Sequence, residues 1–173
     1  RLMLFMPPRH GKSTLASVAF PAWHLGKNPE HEFISCSYSG SLAMNFSRKV
    51  RQQLREPNYK NVFSGVSLDP SSQSVESWNT TKGGGYVAAG VGGGITGKGA
   101  HVLVIDDPVK NREDAESEYN RDSVWDWYTS TAYTRLAPGG GVLVILTRWH
   151  DDDLAGKLLS AAAGGADQWE VVK

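Results

Sequence analysis

The chain has 173 residues, with 18 basic and 18 acidic side chains that balance to a net charge of zero. That length predicts a single domain, since one hydrophobic core organises about 100–200 residues. Shares of 40% apolar and 21% charged residues exclude a disordered tail, and no run nears the roughly 20 apolar residues of a bilayer crossing.

Leu2 to Met6 is a short apolar run stopped by Pro7-Pro8, the pattern of a buried strand. A glycine–lysine turn follows. Apolar residues spaced for a helix run from Ser13 to Leu25, and Gly26 with Pro29 ends it. Pro21 inside that stretch predicts a kink or an early stop. His31 to Cys36 reads as a second strand. It carries the single cysteine, which excludes an internal disulfide and a cysteine-based zinc site and fits a reducing, intracellular setting. Ser39 or Ser41 can cap the next helix, which runs to about Arg55 and stops before Pro57. Its polar face carries Arg48, Lys49, Arg51 and Arg55, and the ordinary role of such a face is solvation.

Residues 57–73 read as a loop with one turn of helix. Val75–Asn79 and Tyr86–Ala89, joined by Thr80 to Gly85, read as a hairpin. Glycine is the one compositional excess, at 19 residues. Its clusters at Gly83–Gly85, Gly90–Gly99 and Gly139–Gly141 predict turns or mobile loops. His101 to Ile105 is a buried strand with two acids at its end. Arg112 to about Tyr133 predicts one charged and aromatic helix. Its Trp125, Trp127 and Tyr128, with Tyr133, fit core packing better than a base-stacking platform. Val142–Leu146 is another buried strand, Asp151 to Ala163 a helix, and Trp169–Val172 a closing strand. Apolar strands alternating with helices indicate an α/β domain, a mostly parallel central sheet with helices on both faces.

The sharpest chemical signal is Pro7-Pro8-Arg9-His10-Gly11-Lys12-Ser13-Thr14, between strand and helix. A phosphate-binding loop needs that setting: backbone N–H groups face the phosphates, the lysine reaches the terminal ones, and the Ser13 hydroxyl holds magnesium. The full G-x-x-x-x-G-K-[ST] pattern puts its first glycine at position 6, where this chain has Met6. A second signal is independent. Val102 to Ile105 ends in Asp106, placed to bind magnesium, and Asp107, placed to polarise an attacking water. A strand-end aspartate that merely caps the next loop is the ordinary alternative. Thr147-Arg148-Trp149-His150 follows the strand Val142–Leu146 at the edge where open α/β sheets bind ligands. There a Thr147 hydroxyl can sense the γ-phosphate, and Arg148 or His150 can transmit the change. The five histidines lack metal-ligand spacing. Asp151-Asp152-Asp153 reads as a helix cap, with a metal site as the outside reading. Zero net charge argues against a free-standing nucleic-acid-binding domain. It does not argue against a motor whose positive surface lies elsewhere or forms only in a ring.

These segments, with Tyr38-Ser39, Gly92 to Ala100, Ile105-Asp106-Asp107-Pro108, Trp127-Tyr128, Tyr133 to Leu136 and Leu146 to His150, fall in one order. That order resembles the ATPase domain of the large terminase subunit of tailed bacteriophages and prophages, over nearly the whole chain. The resemblance implies an ASCE-type P-loop NTPase with a strand between its Walker A and Walker B strands. Residues 1–173 are then the motor domain, with the nuclease domain of a complete subunit outside the chain. It implies ATP and Mg2+ as cofactors. Arg9, His10, Gly11, Lys12, Ser13 and Thr14 match the Walker A site, Asp106 the magnesium-binding acid, Asp107 the catalytic carboxylate (glutamate in many members) and Thr147 the coupling motif. Lys98 stands where the family often has an arginine finger acting on a neighbouring subunit, with Arg112 as substitute. The implied partners are double-stranded DNA, the portal protein, the small terminase subunit and further copies in a ring on the procapsid. The implied place is the cytoplasm of an infected or lysogenic bacterium, with no membrane partner. A helicase- or recombinase-like ATPase, a small-molecule phosphotransferase and a non-hydrolysing interaction module stay open as rivals.

Overall fold

The computed structural model describes residues 1–173. Strand β1 (Leu2–Phe5) stops just before the two prolines, which have no N–H to give a ladder. The helix expected from Ser13 begins as a π-type segment over Thr14–Ala19 and continues as α1 (Phe20–Lys27). Pro21 accounts for the widened turn: it cannot donate to the Ser17 carbonyl, and its ring pushes that carbonyl away. β2 (Glu32–Ser37) leads to α2 (Gly40–Arg55). Ser39 caps α2, its hydroxyl accepting from the Leu42 amide at 3.3 Å.

The single helical turn expected next is α3 (Pro57–Val62), but Leu68–Gln73 is strand β3 and not loop. Pro70 hides it. A proline fits a strand at the sheet edge, where its missing N–H costs no ladder bond, and β3 is an edge strand with irregular register. β4 (Ser77–Thr80) and β5 (Gly85–Gly90) form the predicted hairpin. β6 (Ala100–Asp106) follows the glycine-rich loop.

The long helix expected from Arg112 breaks at Ser117 into α4 (Arg112–Glu116) and α5 (Glu118–Trp127), then runs on in π and 3-10 turns to Arg135. Arg121 holds the break. Its guanidinium donates to the Ala115 and Glu116 carbonyls at 2.9 and 2.8 Å, which the helix end leaves unpaired. β7 (Leu136–Leu146) is longer than Val142–Leu146 because it absorbs Gly139–Gly141. That cluster is a bulge, not a loop. The register jumps between Ala100–Leu136 and Val102–Gly141, and a side chain at Gly140 would meet the Ala137 carbonyl at 2.9 Å. α6 (Leu154–Ala163) and β8 (Glu170–Val172) close the chain as expected.

The eight strands form one sheet in the order β3-β4-β5-β2-β6-β7-β1-β8. From β5 to β8 every pairing is parallel, while β3, β4 and β5 pair antiparallel, so the sheet is mixed. Alternate residues feed two cores. Phe33, Val102, Val104, Leu143 and Ile145 pack toward α1 and α2, and Ile34, Leu103, Ile105 and Val144 toward α5 and α6. Trp127 and Tyr128 lie in the second core, as their expected packing role requires.

Candidate functional site

Three strands deliver the chemistry to one edge. Phe5 pairs with Leu146 and Asp106 with Ile145, so the carboxyl ends of β1, β6 and β7 lie side by side. Open parallel sheets leave their ligand crevice at this edge. The loop 6–13 leaves β1 there, Asp106 ends β6, Asp107 follows it, and Thr147 follows β7.

Lys12 is only 6% exposed. Its Nζ lies 2.8 Å from Thr147 Oγ1 and 2.9 Å from Asp107 Oδ2. Thr147 donates its hydroxyl to the Met6 carbonyl at 3.2 Å and its amide to Asp107 Oδ1 at 3.0 Å. The result is one closed network joining all three strand ends.

Asp106 lies beside it, 1% exposed. Ser17 Oγ donates to its Oδ2 at 2.6 Å, whereas Oδ1 is buried with no partner. Burial pushes the Asp106 carboxyl above the ordinary carboxylate range, and the Ser17 hydrogen bond with the nearby Ser13 hydroxyl pulls the other way. A buried acid with an unused oxygen suits a cation, which would satisfy that oxygen and stabilise the ionised form. No three His, Cys, Asp or Glu side chains gather to hold a metal ion anywhere in the chain. A cation here would therefore draw on Ser13, Asp106, water and ligand oxygens.

The backbone is specialised at the same place. Arg9 and Gly11 adopt φ of 65° and 82°, and Asp107 adopts 46°, all left-handed. Left-handed residues in such a turn make a concave cradle for an anion. Met6 is not left-handed, so the position where the motif's first glycine would stand makes no demand for one. Asp107 is held by its amide to Ile145 O at 2.8 Å and by the Tyr38 amide to its carbonyl at 3.1 Å.

Among the remaining expected residues, Arg9, His10 and Thr14 are exposed around the loop and Ser13 is half-buried. His10 Nδ1 lies 2.9 Å from the Pro8 carbonyl. Lys98 is not brought to this edge. It is exposed two residues before β6, at the amino end of a strand about 20 Å long. Arg112 begins α4, five positions past Asp107, and pairs loosely with Glu116 at 3.5 Å. Arg148 is committed locally. Its Nε donates to Asp153 Oδ2 at 2.7 Å, and Nη2 donates to the His150 and Asp151 carbonyls at 3.3 and 3.1 Å. Asp153 also caps α6 through the Gly156 amide at 2.9 Å, so within the acidic triplet it is the third residue that serves as the cap. A cleft of about 600 Å³ opens beside the Asp107 turn, lined by Tyr38, Ser39, Pro108 and Lys110 among others.

The family model described as the terminase large subunit, T4-like virus type, N-terminal region, matches residues 3–173. The chain belongs to that family. A DNA-packaging role follows from membership in the terminase family, whose large subunits are ATPases in general and work with DNA, a portal and a small subunit. No curated protein sequence matches the chain. No helix is long and apolar enough to cross a membrane.

Three participants were not read from the sequence. Ser17 had a signal, since it lies one turn after Ser13 on the same helical face. The Met6 carbonyl and the Tyr38 amide had none, because any residue supplies a backbone group.

Proposed function

We propose that this chain is the ATP-hydrolysing motor of a large terminase subunit, coupling hydrolysis to translocation of double-stranded DNA into a procapsid. The observation that carries the reading is the Lys12–Asp107–Thr147 network beside buried Asp106. An ASCE-type P-loop fold is supported by β7, which lies between β1 and β6.

In this reading Lys12 and the amides of residues 9–14 hold the β- and γ-phosphates of ATP, with Arg9, His10 and Thr14 around them. Ser13 and Asp106 hold Mg2+, whose charge offsets that of the phosphates. Asp107 orients a water for in-line attack on the γ-phosphorus and accepts its proton. To do so it gives up Lys12 to the phosphates. Thr147 contacts both Lys12 and Asp107, so it feels that exchange directly. Arg148 then ties residue 147 to the cap of α6, a rigid route out of the site.

A cation from a neighbouring copy completes the charge around the γ-phosphate in a homo-oligomeric ring. Lys98 can serve only in a neighbour's site, and Arg112 is the second candidate. The portal protein and small terminase subunit are the further partners, in the cytoplasm of the bacterial host.

The test is ATP turnover with magnesium by wild type, Lys12→Ala and Asp107→Asn, in the presence and absence of duplex DNA. Both variants should lose turnover. Equal rates for all three proteins would overturn the reading.

A further inference from the structure

Away from the site, the largest concentration of unexplained charge lies on α2. From Phe33 to Arg55 the chain has four basic residues and no acid, in a protein of zero net charge. Arg48, Arg51 and Arg55 recur at i, i+3 and i+7. That spacing lines three guanidiniums into a stripe about 10 Å long, on a flank clear of the core residues Ala43, Phe46, Val50 and Leu54. Arg48, Lys49 and Arg55 are exposed.

No carboxylate answers them. None of the four enters any of the salt bridges in the molecule. Arg51 keeps its Nε buried without a partner, and burial with the charge of Arg55 disfavours its ionised form. Arg55 donates to Gln73 Oε1 at 2.9 Å, a neutral group that fixes its direction without cancelling its charge. The nearby acids do not compensate: Glu56 follows the helix end, and Asp69 of β3 accepts from the Ser71 amide and hydroxyl. Like charges one turn apart repel. A polyanion laid along the stripe would relieve that repulsion.

We propose that this flank of α2 is a contact surface for the phosphate backbone of duplex DNA. Arginine forks match phosphate oxygens and keep their charge at any working pH. A duplex carries one charge per about 1.7 Å, so the stripe faces roughly six of them. Contacts of this kind position the duplex without reading its sequence. The inference rests on the DNA-packaging reading above, but the stripe is outside the nucleotide site, so the two fail separately.

The experiment measures binding of the chain to a fluorescent duplex of about 30 base pairs over a range of KCl concentrations. Wild type is compared with Arg48→Gln/Arg51→Gln/Arg55→Gln, with the matching triple lysine variant and with Arg48→Gln alone. The triple glutamine variant should bind more than tenfold more weakly at low salt. Its log–log salt slope should be shallower by about 2.7, from three lost phosphate contacts at about 0.9 each. Arg48→Gln, a fully surface change, should lower the slope by about 0.9, and the lysine variant should keep most of it. Basal ATP turnover without DNA should be the same in all four. Unchanged affinity and slope in the glutamine variants overturns the proposal, as does wild type that fails to bind duplex. Polyglutamate that displaces the duplex and binds wild type more tightly assigns the face to an acidic protein partner and also overturns it. Loss of ATP turnover in wild type counts against the motor reading, not against this surface.

Discussion

The Lys12 ammonium lies 2.9 Å from the Asp107 carboxylate, so the proposed phosphate-binding cation and the proposed catalytic acid neutralise each other. In the proposed motor a triphosphate has to take Lys12 away from Asp107, and the same act frees Asp107 for water. Asp107→Asn removes the competitor and one negative charge near the phosphates. ATP should then bind about fivefold tighter, the equivalent of about 1 kcal/mol for a partly exposed pair. Turnover should fall by roughly 10²–10⁴-fold with the loss of the base. Titration with a fluorescent ATP analogue and a single-turnover assay read the two effects separately. Binding that is unchanged or weaker would remove the competition from the account.

Asparagine is the right replacement for a second reason. Asp107 sits at φ 46°, a region that Asp and Asn tolerate better than other side chains. Asp107→Ala removes the acceptor of the Thr147 amide while leaving a Cβ in the strained region. It should cost about 2 kcal/mol more than Asp107→Asn in urea denaturation. Equal stabilities would mean that the side chain contributes nothing to holding this turn.

The contrast between Asp106–Asp107 and Lys98 marks what the sequence made legible. Continuous apolar runs define β1, β6 and β7, and polar residues at their carboxyl ends fall on one edge because parallel strands share a direction. So the shared edge of Lys12, Asp106, Asp107 and Thr147 could be read from position along the chain. The place of Lys98 at the amino edge could not. The glycine-rich segment before β6 leaves β5 at the carboxyl edge and crosses to the other, a path that glycine composition leaves open. The same limit applies to β3, whose Pro70 is acceptable only because of its edge position, and to Gly139–Gly141, whose bulge exists only against β6. The break at Ser117 depends on a tertiary arrangement of Arg121 that helical periodicity cannot reveal.

Arg121 offers a direct test of that break. Its guanidinium serves two carbonyls and reaches Asp152 Oδ2 at 3.4 Å, and Asp152 in turn lies 3.1 Å from Lys157. Arg121→Met keeps the apolar stem but leaves the buried Ala115 carbonyl and the part-buried Glu116 carbonyl without their donor. The expected loss is about 2–3 kcal/mol in chemical denaturation. Arg121→Lys should recover less than half of it, because one ammonium cannot reproduce a planar fork. A loss below about 0.5 kcal/mol in Arg121→Met would show that the helix break persists without this residue.

A histidine cluster at the opposite edge from the site makes the fold sensitive to mild acid through His24. His24 Nε2 lies 3.0 Å from His31 Nδ1, the rings of His31 and His101 stack at 4.2 Å, and His101 Nδ1 accepts the Glu32 amide at 3.0 Å. Burial first, then the neighbouring His31 and His101, lowers the His24 pKa from 6.5, and only Glu30 opposes them. A group whose folded pKa lies below its unfolded value binds more protons on unfolding as the pH drops. The contribution of His24 is therefore complete above about pH 6.5 and is lost progressively below it. Urea midpoints at pH 7.5 and 5.5 should show a clear drop in wild type and a smaller one in His24→Gln, which keeps a hydrogen-bonding side chain but cannot titrate. The same drop in both proteins would move the acid sensitivity to other groups, with buried Asp106 and Asp153 excluded by sign. Burial raises their carboxyl pKa, and an acid held above its unfolded value gains stability as the pH falls.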